Sequence, residues 1–140
     1  MNLPLLDRIK SFTKSASSPG GEDKKAAATV AAVRQALPEL LAVAVVELAT
    51  NKVLAKYSSS AQLQPEKAAM HNAEVVRQKQ RALKALALPN EKIEDILITL
   101  REQLHLLRVS QNGNWLLYLI VSPQDTNLAI ARDVLKTHSL

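Results

Sequence analysis

The sequence predicts an α/β (α+β) domain with a five-stranded, mainly antiparallel sheet flanked by helices, in the order α-β-β-α-β-β-β-α. Three observations carry this prediction. The run Leu40 to Val46 is apolar without interruption and of strand length, as expected for a strand covered on both faces. Residues 66–87 hold no Gly or Pro and are bracketed by Pro65 and Pro89-Asn90, which marks one long helix. Three short apolar runs then follow with brief polar breaks, one of them Asn112-Gly113-Asn114, a strong hairpin signal.

The elements read in order as follows. Residues 1–14 form an appendage in which Leu5, Ile9 and Phe12 recur at i, i+4 and i+7, and Ser15 to Gly21 reads as a linker. The domain proper covers 22–140. Its first helix spans 23–37, with Asp23 as N-cap, Val30, Val33 and Leu37 on one face, and Pro38 as terminator. A turn at Ala49 to Lys52 joins the central apolar strand to a second strand at Val53–Tyr57. The later strands are placed at Ile93–Leu100, Leu104–Val109 and Trp115–Val121, and a last helix at 126–138 carries Leu128, Ala131 and Leu135 on one face.

Composition narrows the function. The chain has 140 residues, 47% of them apolar and 22% charged, enough for a real core in one domain. It has no Cys, which removes thiolate metal sites, disulfides and a cysteine nucleophile. No apolar run reaches the roughly 18 residues of a membrane-spanning helix, and Asp7, Arg8 and Lys10 break any secretory signal, so a cytoplasmic location is expected. The net charge of +5 is concentrated: residues 66–92 carry six Lys/Arg against three Glu, while 93–140 carry four basic against five acidic residues. These cations alternate with Glu and have no aromatic company, so nucleic-acid binding is not expected.

No catalytic motif is present: there is no phosphate-binding loop, dinucleotide fingerprint or nucleophile elbow. His71, His105 and His138 fall on three elements. His71 and Glu74 sit at i, i+3 on the long helix, but one such pair supplies too few metal ligands. His105 reads as an edge or surface residue. No cofactor is expected.

The long helix offers more. On a helical wheel, Ala69, Ala73, Val76, Gln80, Leu83 and Ala87 fall in one arc with the 4-3-4-3-4 spacing of a helix–helix seam, with Ala68, Val75, Ala82 and Leu86 beside it. One arc covers the sheet; the other needs a second cover, which suggests a dimer. Arg77, Arg81 and Lys84 form a basic stripe at i, i+4, i+7.

The segment from Trp115 to Arg132, an apolar strand, the polar turn Ser122 to Thr126, then Asn127-Leu128-Ala129 and Arg132, resembles the last strand and last helix of the Roadblock / dynein light chain family. The order of elements over 23–138 fits the same family, of profilin-like fold. Ala129 stands where the family often has Gly, and the first hairpin has Asn51 and no Gly. The resemblance implies a non-enzymatic scaffold that binds a small Ras-like GTPase and modulates its nucleotide cycle, as the family's activators of bacterial polarity and gliding GTPases do. It also implies pairing as a homodimer, or as half of a heterodimer, through the strand at 93–100. The expected GTPase contacts are then Arg77, Arg81 and Lys84, and the expected dimer interface is Ala69, Ala73, Val76, Gln80, Leu83, Ile96 and Ile98. The alternative is a small-ligand sensor of profilin- or longin-like shape, which requires an apolar cavity between sheet and helix.

Overall fold

The computed structural model describes residues 20–139; the appendage and most of the linker lie outside the described residues. The elements are α1 (Gly20–Ala36), β1 (Ala42–Glu47), β2 (Lys52–Ser58), α2 (Pro65–Ala85), β3 (Ile96–Thr99), β4 (Leu104–Val109), β5 (Trp115–Val121) and α3 (Leu128–His138). The expected α-β-β-α-β-β-β-α order is therefore found. All five strands pair antiparallel in the spatial order β2-β1-β5-β4-β3. β1, β5 and β4 are the inner strands, and five successive residues of β1, Ala42 to Val46, are all buried.

Alternation along the strands divides the core into two layers. Val43, Val45, Leu106, Leu117 and Leu119 face α1 and α3, against Val30, Val33, Ala131 and Leu135. Ala42, Ala44, Val46, Leu107, Leu116, Tyr118 and Ile120 face the other way, against Ala69, Ala73 and Val76 of α2. Alanine on both sides lets helix and strand approach closely, so the α2 layer is thin and filled. Side chains occupy that layer where Ala69, Ala73 and Val76 meet the sheet, and an open groove lies only further along α2, between Leu83 and Val109.

Several boundaries moved, each for a local reason. α1 begins at Gly20, so Asp23 lies inside the helix and does not cap it; its Oδ1 is buried without a partner. α2 stops at Ala85, and Ala87 takes a left-handed φ of 54°, which closes the helix before Pro89. β3 is half the expected length. The Glu94 carbonyl accepts from the Arg108 guanidinium at 2.9 Å, and Asp95 pairs with Arg132 of α3 at 2.9 Å, so 93–95 follow side chains and not the sheet ladder. At the other end Leu100 N–H turns back onto the Gln103 carbonyl at 2.8 Å. α3 starts two residues later than expected because Asn127 caps it, accepting from Ala129 N at 2.8 Å and Ile130 N at 3.2 Å.

Candidate functional site

α2 carries the residues singled out by the sequence, and its placement sorts them. The helix runs over β1 and β2 from the Ser58 end of the sheet to the Leu48 end. Arg77 marks where it passes that end, because its guanidinium donates to the Leu48 carbonyl and, at 2.6 Å, to Asn51 Oδ1 in the β1–β2 turn. From Arg77 to Ala85 the helix continues for about 12 Å beyond the sheet edge.

This corrects the seam expected on α2. Ala69, Ala73 and Val76 have no exposed surface, since they are the residues that cover the chain's own sheet. They cannot touch a second protomer. The arc fails as a uniform seam because the helix leaves the sheet halfway along it. Past Val76 the same arc is open: Gln80 and Ala87 are exposed and Leu83 is half-buried. The surplus apolar surface is real but lies elsewhere, at Val75 and above all at Leu86, which is 67% exposed.

The basic stripe is likewise split. Arg77 is bound to the β1–β2 turn, and Glu74 takes a further contact from it at 3.4 Å. Arg81 is mostly exposed and shares Glu74 at 3.3 Å. Lys84 makes no ion pair among the described residues. Glu74 accordingly serves two arginines and Gln78, and these bonds hold its carboxyl below the usual carboxylate range although desolvation opposes them.

β3, the strand expected to pair with a twin, is an outer strand whose far edge has no strand partner among the described residues. Ile96 and Ile98 are half-buried against the α2 layer of the core, and Leu97 on the opposite face is exposed. The other outer strand, β2, differs. It carries exposed Lys52 and Lys56 and a register shift between Val45 and Val46 of its partner, two features that discourage edge-to-edge pairing. β3 reads Ile-Leu-Ile-Thr and has no charge.

One cluster was not expected from the sequence. His105 is not on an edge strand, since β4 lies between β5 and β3. Its Nδ1 is 3.0 Å from the Tyr118 hydroxyl and its Nε2 is 2.8 Å from Gln103 Oε1. Asn72 of α2 is buried beside this layer, and its Nδ2 has no well-aligned partner. Burial pushes the Tyr118 hydroxyl up to about 12, with the Asn72 side chain acting against the rise, and burial pushes His105 below the ordinary histidine value. His105 and Tyr118 sit diagonally on neighbouring strands, on one face. That relation becomes visible only once the β4–β5 register is known.

The comparisons with solved structures can now be set beside this geometry. Over 84% of both chains it superposes on Myxococcus xanthus MglB with a TM-score of 0.72 at 14% identity. The chain has the Roadblock fold. A Roadblock/LC7 domain from Streptomyces avermitilis matches with a TM-score of 0.66 at 9% identity, covering 81% of this chain and 90% of that one. The gliding protein MglB from Thermus thermophilus matches at 0.62 and 14% identity, over 82% and 90%. No family model matches the sequence, and no curated protein does. Within the Roadblock fold the segment that prompted the resemblance, Trp115 to Arg132, is β5, the capping Asn127 and the start of α3.

Proposed function

We propose that this chain is a non-enzymatic Roadblock-type scaffold that pairs with a second copy and regulates a small Ras-like GTPase. The observation that carries the reading is the contrast between the two sheet edges. One is guarded by lysines and a bulge; the other, β3, is apolar and unpaired among the described residues. An isologous pairing of β3 with β3 satisfies both edges at once and joins two sheets into one. Ile96 and Ile98 then lie at the junction.

The partner GTPase meets the exposed side of α2, where Arg81 and Lys84 supply the charge. Arg77 supports that surface from within by fixing the helix to the β1–β2 turn. Likeness to the gliding protein MglB of Thermus thermophilus supports a place in GTPase-controlled polarity or motility, the role that the family resemblance implies. The nucleotide and the catalytic groups belong to the GTPase, and this chain contributes position.

The test is molar mass by light scattering for the natural chain and for Leu97→Lys, followed by GTP hydrolysis of a candidate GTPase with each. The expected outcome is twice the 15.3 kDa chain mass for the natural protein, one chain mass for the variant, and loss of the effect on hydrolysis. A natural chain that is monomeric at all concentrations rejects the reading.

A further inference from the structure

α2 packs on β1 and β2, which leaves Ile98 of β3 and His105 of β4 only half-buried on that side of the sheet. The two are direct partners in the β3–β4 register and share a face, so His105 stands one strand in from the unpaired edge. A polar chain runs inward from it. Gln103 Oε1, 2.8 Å from Nε2, is an acceptor and puts the ring proton on Nε2. Nδ1 is then an acceptor, and the Tyr118 hydroxyl donates to it across 3.0 Å. Beside that hydroxyl stands Asn72 Nδ2, also a donor and without an aligned partner of its own. Tyr118 is fully buried and Asn72 is 8% exposed. Gln103 belongs to the turn that closes β3, since its carbonyl takes the Leu100 N–H at 2.8 Å.

We propose that pairing of this chain through β3 is proton-linked: a neutral His105 permits it and a protonated His105 opposes it. The inference rests on the pairing reading above. A second proton on the ring goes to Nδ1, which then faces the Tyr118 oxygen as a donor. The hydroxyl proton must turn away, and its other neighbour, Asn72 Nδ2, is a donor too. A buried O–H is left unmet, and a cation sits between Ile98 and Ile120, its register partners on the two adjacent strands. No opposite charge offsets it. Of the elements packed on His105, β3 has no ionisable group and β5 has only Tyr118. The β3–β4 turn has Arg101 and Glu102, both exposed. On α2, His71 and Lys79 are exposed, Glu66 pairs with Lys56, and Glu74 is held by Arg77 and Arg81. None of these pairs with the imidazole among the described residues. Burial alone lowers the His105 pKa. The charged ring escapes both costs by swinging out to water past Ile98, across the strand on which the second copy docks.

Sedimentation equilibrium of the full chain at pH 7.5 and 5.5 tests this, with circular dichroism confirming the fold at both. The dimer Kd of the natural chain should rise about tenfold on acidification, roughly threefold for each of two histidines, while that of His105→Gln should hold constant. Linkage requires the converse, which needs no change at residue 105. In His71→Gln/His138→Gln, His105 is the sole histidine. Its NMR titration midpoint should lie at least about half a pH unit lower in concentrated, paired samples than in dilute ones. A Kd equal at the two pH values, a rise that His105→Gln retains, or a midpoint independent of concentration overturns the proposal and leaves pairing standing. A natural chain that is monomeric at pH 7.5 at all concentrations overturns the pairing reading and this inference together.

Discussion

The Arg77 guanidinium reaches from α2 to Asn51 Oδ1 at 2.6 Å, joining a helix to a turn that lies 26 residues earlier in the sequence. Asn51 holds a left-handed φ of 60°, and the same guanidinium nitrogen serves the Leu48 carbonyl. The bond therefore fixes where the long helix leaves the sheet, and with it the direction of everything beyond residue 77. Arg77→Ala should lower stability by about 1–3 kcal/mol in urea unfolding, the usual cost of leaving hydrogen-bonded partners unmet. Arg81→Ala, which loses only an exposed pair, should leave the midpoint in place. In a double-mutant cycle, Arg77 and Asn51 should couple by more than about 0.5 kcal/mol; strict additivity would remove the clamp.

His105 sets a pH dependence. Burial lowers its pKa in the folded state, so below the ordinary value of 6.5 the unfolded chain binds the proton more readily. Stability from this group is complete above that value and falls as the solution is acidified through it. Unfolding midpoints at pH 7.5 and 5.5 should therefore diverge more for the natural chain than for His105→Gln. Equal divergence would show that His105 is not the group responsible.

Tyr118 is the buried partner in that pair. Tyr118→Phe should cost about 1 kcal/mol through the lost hydroxyl bond and leave the sheet intact by circular dichroism. In the natural protein, ultraviolet titration should show one tyrosine ionising only near pH 12. Its disappearance in Tyr118→Phe assigns it.

Asn127 tests the turn before α3. Asn127→Ala frees the Ala129 and Ile130 amides and should cost about 1 kcal/mol, whereas Asn127→Asp should be nearly neutral. Gly113 tests the β4–β5 hairpin. Its φ of 80° is in the left-handed region with open space around it, so Gly113→Ala should cost about 1 kcal/mol through backbone strain alone. Thermal unfolding of the two variants measures both.

Much of this protein was legible before any coordinates. The unbroken apolar run at 40–46, the Asn-Gly turn and the prolines around the long helix determined element types and order, because each reports a local constraint of period, φ or missing N–H. The resemblance at 115–132 worked for the same reason: a strand, a capping Asn and a helix start are contiguous in the chain. The helical wheel correctly assigned α2 an excess of apolar surface, but it could not say which part of each arc meets the sheet.

Only the tertiary structure decided that point. A wheel treats all turns of a helix as equivalent, yet α2 crosses a sheet of finite length. Ala69, Ala73 and Val76 are spent inside, while Leu83 and Leu86 are left beyond its edge. The length of β3 was decided in the same way, by Arg108 and Arg132 taking hold of Glu94 and Asp95 from distant elements. Periodicity records what a segment can bury; which surface is present to bury it depends on chain packed from elsewhere.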